Sequence, residues 1–598
     1  MRAMASCCGE LLALCWQQSP RKLIWSVVLK LIATAALPLS AVGVGLLMDA
    51  AVAGDGSAAA MAAAATAALL IAALTLSHFA HVMYFELGEM NLLTKERQLI
   101  ELASGSVGLE HHERPDYADR VQVLRHEVER VGHSSMEALL STASVVLSLV
   151  LTSVILAQLD PLLLLLPLAG IPAVHLGARA QALQAAGREA AAEPTRLARH
   201  LFSVATQAGP AKEVRTAGLA DELKARHATL WSAGTRTMLP AELRAAGLRI
   251  IGQLLFAAGY VSAILVVVAQ AIGGGLSVGD VLVVFSVAGL ANHQVSAAVS
   301  VLQDLQRVAR VMADFRWLEA LVTRPLAPVG SASPRTVPRR LEHGIELRDV
   351  TFTYPLTDRP VLQGIDVLLP AGATVAIVGE NGSGKTSLVK LLCRFYEPSQ
   401  GVIEVDGVPL ADLPSERWRE RTAGAFQDFV NFELVARESV GLGDVLRIES
   451  EAAVLTGLRR AHSEAVLRRL SHGLATQLGK SYTDGTELSK GQWQKLALGR
   501  AMMRDAPLLL VLDEPTAALD AEAEHHLFEQ YAANARRLGE AHGTVTLLVS
   551  HRFSTVRMAD LILVVADGRV AESGTHEALV AAGGLYANLY GMQERSYR

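Results

Sequence analysis

Six stretches of this sequence are apolar for longer than a soluble core needs. They run near 23–51, 58–93, 136–158, 161–182, 240–272 and 277–302. Each can supply the roughly 20 residues that an α-helix needs to cross a bilayer. In lipid every backbone N–H and C=O must be satisfied within the segment, which makes helices the fold for such runs. VVLSLVLTSVIL and DPLLLLLPLAGIP are hard to place in a soluble core. Of the 598 residues, 51% are hydrophobic and 19% charged, mean hydropathy is +0.31, and the apolar excess lies in the first half. A membrane part joined to a soluble part is expected.

Loop charge sets the expected orientation. DAAVAGDGS, QLDP and AIGGGLS contain no Lys or Arg, whereas the loops between spans two and three and between spans four and five are long and basic. Positive loops stay inside. Both termini and the C-terminal half are therefore expected in the cytosol, in a multi-pass protein of the cytoplasmic (inner) membrane. Residues 1–22 read as an amphipathic segment on the inner surface, not as a secretory signal. The two long loops are expected to carry helices into the cytosol and turn at Glu113–Tyr117 and Lys212–Gly218, tips that bear on the soluble half. Lys30, His78, His81, Glu86, Asn292, His293 and Gln294 fall within spans. They either face a wet interior or hydrogen-bond between helices. The net charge of −5 does not indicate a nucleic-acid partner.

Residues 323–340 are rich in Pro and Ser and read as a linker. From 341 to 598 short strands alternate with helices, the pattern of an α/β domain. After the strand TVAIV comes Gly379-Glu380-Asn381-Gly382-Ser383-Gly384-Lys385-Thr386, followed by a helix that begins with Ser387. Such a glycine-rich loop turns backbone N–H groups toward phosphate oxygens. Lys385 is expected to reach the β- and γ-phosphates, and Thr386 to ligate Mg²⁺. A later strand, LLLVL, ends at Asp513-Glu514. Asp513 is a candidate Mg²⁺ ligand, and Glu514 a candidate for orienting and polarising the attacking water.

These motifs, in this order, resemble an ATP-binding-cassette exporter half-transporter, and the resemblance covers nearly the whole chain. It implies a helical six-span membrane domain fused to an α/β phosphate-loop ATPase cassette, with ATP and Mg²⁺ bound. Tyr354 resembles the aromatic that stacks on adenine. Gln427 resembles the loop glutamine that senses Mg²⁺ and contacts the membrane domain. Leu488 to Gln492 (LSKGQ) resembles the signature, which implies nucleotide contacts from Ser489, Gly491 and Gln492. Asp520 falls in a D-loop-like AALD, and His551 resembles the switch histidine. Two departures stand out: Lys490 replaces the usual signature Gly, and KSYTDGTE does not match the usual segment before the signature.

In the family the signature of one cassette faces the γ-phosphate held by another. A chain with one cassette is thus expected to act as a dimer, with a second copy or a homologous half-transporter. The expected activity is ATP-driven export of an amphipathic substrate, with peptide or natural product slightly ahead of lipid. Three alternatives stand beside it: one half of a heterodimer, an inward-running siderophore-type relative, and an ATP-gated regulator or channel.

Overall fold

The computed structural model describes residues 2–105, 108–322, 335–514, 521–550 and 552–597. They divide into two units. One takes Met1–Glu101 and Arg120–Leu318, the other Leu102–Asp119 and Glu319–Arg598. Most of the expected linker, 323–334, lies outside the described residues.

The first unit is helical. Its elements are α1 (Arg2–Gln18), α2 (Pro20–Val52), α3 (Gly56–Ser104), α4 (Pro115–Leu159), α5 (Leu165–Ala190), α6 (Ala192–Thr206), α7 (Ala211–Thr216), α8 (Ala220–Ile272) and α9 (Val278–Val322). Among the described residues, six helical segments are long and apolar enough to cross a membrane. Pro20 starts α2 where its missing N–H has no intrahelical partner to lose. Helices α3 and α8 run for 49 and 53 residues, more than twice a bilayer crossing. Large side chains such as Leu74, Leu254 and Leu265 stay exposed.

Small residues make the close approaches between helices. A Cβ on Gly45 of α2 would overlap the Val283 side chain and come within 3.0 Å of the Gly279 carbonyl oxygen of α9. Beside this contact, Asp49 accepts hydrogen bonds from the Gly279 N–H and the Ser277 hydroxyl, each at 2.7 Å. Several polar groups within the spans find partners in the same unit. Gln294 Nε2 donates to Ser148 Oγ at 2.6 Å and Thr152 Oγ1 at 2.9 Å, tying α9 to α4. Lys22 and Glu86 pair at 2.8 Å, and His81 shares a hydrogen bond with Tyr84. His293 is exposed, and the Asn292 side chain lies outside what is described. The Gln294 Nε2 bonds lie between helices, while its Oε1 is buried without a hydrogen-bond partner.

Among its described residues the second unit holds ten strands: β1 (Gly344–Phe352), β2 (Leu362–Pro370), β3 (Thr374–Val378), β4 (Gln400–Val405), β5 (Val408–Pro409), β6 (Thr422–Ala425), β7 (Leu509–Asp513), β8 (Val545–Val549), β9 (Leu561–Ala566) and β10 (Arg569–Gly574). One sheet has the order β2-β1-β4-β5, the other β10-β9-β3-β8-β7-β6. The first is antiparallel. In the second, β9, β3, β8, β7 and β6 run parallel, and β10 is antiparallel at one edge. Strands β7 and β8 are buried at every position, as suits runs of Leu and Val interrupted only by Thr546 in β8 and closed by Asp513 in β7. One core spans both sheets, from Ile345 and Phe352 to Val511 and Val549.

The tip 102–119 belongs to this second unit. The Leu109 N–H donates to the Phe395 carbonyl at 3.0 Å, Leu109 packs on the cassette core, and Glu113 pairs with Lys390 at 3.0 Å. The tip around Lys212–Gly218 belongs to the helical unit, and its short helix α7 buries no residue.

Two predictions follow from the packing. Gly45→Leu forces an overpacked contact of the kind that costs about 1–3 kcal/mol. The detergent-purified protein should melt several degrees lower, whereas Gly247→Ala, where a Cβ meets nothing, should leave the melt unchanged or raise it slightly. His111 is buried in the tip, 4.8 Å from the Tyr117 ring. Burial, and next the neighbouring His112, push its pKa down from 6.5 to about 4. A freed tip binds the proton that the docked tip refuses, so docking is fully stable above 6.5 and weakens as pH falls through that value. Hydrogen exchange at 109–117 should speed up at about pH 5 relative to about pH 7.5, and His111→Asn should remove that difference.

Candidate active site

Parallel strands end on the same side. The loop after β3 holds Gly379 to Lys385, the turn after β6 holds Gln427, and β7 ends in Asp513 beside Val549, the last residue of β8. Four segments far apart in sequence therefore meet at one sheet edge, where ligands of open α/β sheets bind.

The loop is built to bring backbone close to a ligand. Gly379, Gly382 and Gly384 have φ of +152°, +81° and +110°, a region open to glycine and costly for other residues. A Cβ on Gly379 would strike the Val565 carbonyl oxygen, and one on Gly384 would come within 2.7 Å of Leu362. Helix α10 (Lys385–Leu392) starts directly from Gly384. The Lys385 ammonium lies across the loop, donating to the Gly379 and Glu380 carbonyls at 2.9 and 2.7 Å. Burial lowers its pKa, and the Glu514 and Asp513 carboxylates oppose that shift. Ser383 Oγ is buried without a hydrogen-bond partner, a cost that an incoming phosphate oxygen would relieve. Glu380 and Asn381 lie exposed on the loop, and the Thr386 side chain is exposed at the first turn of α10.

Tyr354 stands at one side of a cavity of about 610 Å³, which Val361, Asn381, Gly382 and Leu589 also line. That volume suits a nucleotide-sized ligand. Phe352 and Tyr396 brace the Tyr354 ring edge-on at 4.8 and 5.4 Å between centroids. Ser387 is buried, with its Oγ 3.0 Å from the Tyr354 hydroxyl. It thus supports the aromatic ring from below.

The acidic pair sits in two different environments. Asp513 is buried, and its pKa is pushed up to about 6, first by burial, then by the charges of Glu514 and Asp428, with Lys385 pulling the other way. Glu514 is half-exposed and has φ +47°, a left-handed backbone that costs a residue with a Cβ about 1–2 kcal/mol. Its carboxylate accepts a hydrogen bond from Gln427 Nε2 at 2.9 Å, so the amide oxygen is the end of Gln427 that could reach a cation. A crowded buried carboxylate, an amide oxygen and a Thr hydroxyl form a donor set that suits a hard cation such as Mg²⁺.

Ser489 caps the helix Lys490–Ala501 in a full capping box. Its Oγ accepts from the Gln492 N–H at 3.3 Å, and Gln492 Oε1 accepts from the Ser489 N–H at 2.8 Å. Gln492 Oε1 is thus committed to the cap, and the helix N-terminus, with Gly491 in its first turn, has the N–H groups and dipole that favour an anion. Lys490 is exposed. Asp520 and His551 lie outside the described residues. Two participants escaped the sequence reading. Asp428 raises the Asp513 pKa, and its only signal was adjacency to Gln427. Lys390 places its ammonium 5.1 Å from the Tyr354 ring centre, and only its place on the helix after the loop hinted at that.

Comparison with known proteins agrees with this geometry. The ABC transporter family matches residues 362–517. An ATP-dependent lipid A-core flippase from Alcanivorax borkumensis is 34% identical over 320 residues, which is 54% of this chain and 52% of that protein. The flippase of the same description from Chromobacterium violaceum is 38% identical over 322 residues, again 54% and 52%. The chain thus spans about half the length of the curated relatives it matches. The solved structure of a bacterial Atm1-family ABC exporter with ATP bound superposes with a TM-score of 0.79 at 25% identity, covering 97% of this chain and 98% of that one. With six candidate spans among the described residues ahead of an α/β cassette, this chain carries an ABC transporter domain and, over nearly its whole length, resembles a bacterial ABC exporter of the Atm1 family.

Proposed function

We propose that this chain is an ATP-driven exporter that works as a homodimer in the cytoplasmic membrane, with its cassette and both termini in the cytosol. The convergence of Lys385, Gln427, Asp513 and Glu514 on one sheet edge carries this reading. The glycine loop and the α10 N-terminus hold the phosphate oxygens, Lys385 neutralises the β- and γ-phosphates, and Tyr354 stacks on adenine. Thr386, Asp513 and Gln427 would hold Mg²⁺, which offsets charge on the phosphoryl group when bound. Glu514 accepts a proton from the attacking water as its oxygen bonds to the γ-phosphorus and the bond to the leaving β-phosphate oxygen breaks. Ser489, Gly491 and Gln492 serve the nucleotide held by the other copy, with Asp520 at the same interface. His551 assists Glu514 in placing the water.

The substrate is amphipathic. No cluster of three or more His, Cys, Asp or Glu side chains among the described residues would hold a metal ion, and Gln294 and its hydroxyl partners are uncharged. The relatives described as lipid A-core flippases now weight lipid above peptide.

Purified alone, the chain should run as a homodimer and hydrolyse ATP. Glu514→Gln should keep nucleotide binding and lose turnover by about 10²–10⁴-fold, and near-normal hydrolysis by that variant would sink the assignment. In inside-out vesicles, ATP-dependent translocation and ATPase stimulation should favour polar-headed lipids over matched panels of peptides and hydrophobic cations. Stimulation by peptides alone would reverse the substrate preference.

A further inference from the structure

Glu514 is held from outside its own strand at three points. Its N–H donates to the Val549 carbonyl at 2.9 Å, a contact that extends the β7–β8 ladder by one residue. Its carboxylate accepts from Gln427 at 2.9 Å. Its carbonyl accepts from Gln494 Nε2 at 3.2 Å. The third contact is unlike the others, because Gln494 lies on the helix Lys490–Ala501, whose N-terminus is the signature anion site. The backbone needs such a hold. Glu514 carries a left-handed φ of +47° and precedes Pro515, whose ring narrows the conformations open to the residue before it. Where the carboxylate points is set by that φ. A donor on the carbonyl acts on the peptide plane that the unusual torsion turns.

We propose that Gln494 is a positioning residue for Glu514, fixing the backbone turn that aims the carboxylate and tying that aim to the seating of the signature helix. A helix moves as a rigid rod over one and a half turns. A phosphate docking at Ser489 and Gly491 therefore shifts Gln494 with it, and the shift passes through one hydrogen bond to Glu514. The inference rests on the reading of Glu514 as the group that activates water. It adds a mechanical link between the anion site served by a cassette and the hydrolytic centre of that same cassette.

The test uses the full-length protein. Gln494→Glu keeps size and shape but replaces the amide donor with a carboxylate that repels the Glu514 carbonyl. Gln494→Lys changes the group but keeps a donor on a side chain of comparable reach. Steady-state ATPase of Gln494→Glu should show kcat reduced about tenfold, the scale of one lost hydrogen bond, with KM for ATP within about twofold. Gln494→Lys should recover most of that loss. In a Glu514→Gln background, Gln494→Glu should cost nothing further, because a positioning residue acts through the group it positions. Wild-type kcat in Gln494→Glu would overturn the proposal. So would equal losses in Gln494→Glu and Gln494→Lys, which is the signature of packing alone, or a full additive loss in the double variant. Near-normal turnover by Glu514→Gln alone would instead remove the reading on which the proposal stands. Binding of a fluorescent ATP analogue and the melting temperature keep a misfolded variant from being read as a positioning defect, and the Gln494→Lys comparison then decides the matter.

Discussion

Everything at the nucleotide site depends on β3, β6, β7 and β8 running parallel. In a parallel sheet each strand end points to the same edge, so the loops that follow are neighbours whatever their separation in sequence. Gly379 and Glu514 lie 135 positions apart (514 − 379) and meet because β3 and β7 both flank β8. The parallel arrangement demands burial on both faces, which the mostly Leu/Val interiors of β7 and β8 satisfy. The same burial raises the Asp513 pKa. A carboxylate placed there is unfavourable alone and favourable beside a cation, so the packing that builds the sheet also gives Asp513 the character the proposed Mg²⁺ ligand needs.

The helical unit follows a different rule. Lipid is as apolar as leucine, so burying leucine against leucine gains little there, and close backbone contact and hydrogen bonds hold helices together. The Gly45–Gly279 contact and the Asp49 hydrogen bonds join α2 to α9 in this way. Gln294 does the same between α9 and α4. Hydrogen bonds between membrane helices average about 0.6 kcal/mol, so Gln294 contributes register more than strength.

Much of this was legible in the sequence, for reasons of length and spacing. A run of 20 apolar residues has few fates, and G-x-x-x-x-G-K-T between a strand and a helix has one common use. The six spans and the α/β cassette follow from those two facts. What the sequence hides is direction. Ser387 sits next to Thr386 in sequence but is buried with its Oγ against the Tyr354 hydroxyl, while Thr386 is exposed, because successive residues on a helix point about 100° apart. The left-handed turn at Glu514 leaves no mark either, since Glu before Pro signals restriction without saying which region is occupied. Gln494 and Asp428 act through contacts across the fold, and no local pattern encodes those.

The tip at residues 102–119 shows which interactions seat it and which orient it. The Glu113–Lys390 pair catches the eye at 3.0 Å, yet its side chains are 39% and 27% exposed, and pairs of that kind contribute about 0–1 kcal/mol. The Leu109–Phe395 backbone hydrogen bond adds about 0.5–1.5 kcal/mol, and Leu109 on the cassette core adds part of the 1.5–3 kcal/mol of a fully buried leucine. Seating therefore comes mostly from Leu109 and its backbone. The ion pair acts on orientation, because the same Lys390 ammonium lies 5.1 Å from the Tyr354 ring and 5.5 Å from that of Tyr396. An ammonium shared among a carboxylate and two rings has few positions that satisfy all three. The tip is thus held weakly in energy but narrowly in direction, beside the aromatic ring that faces the nucleotide cavity.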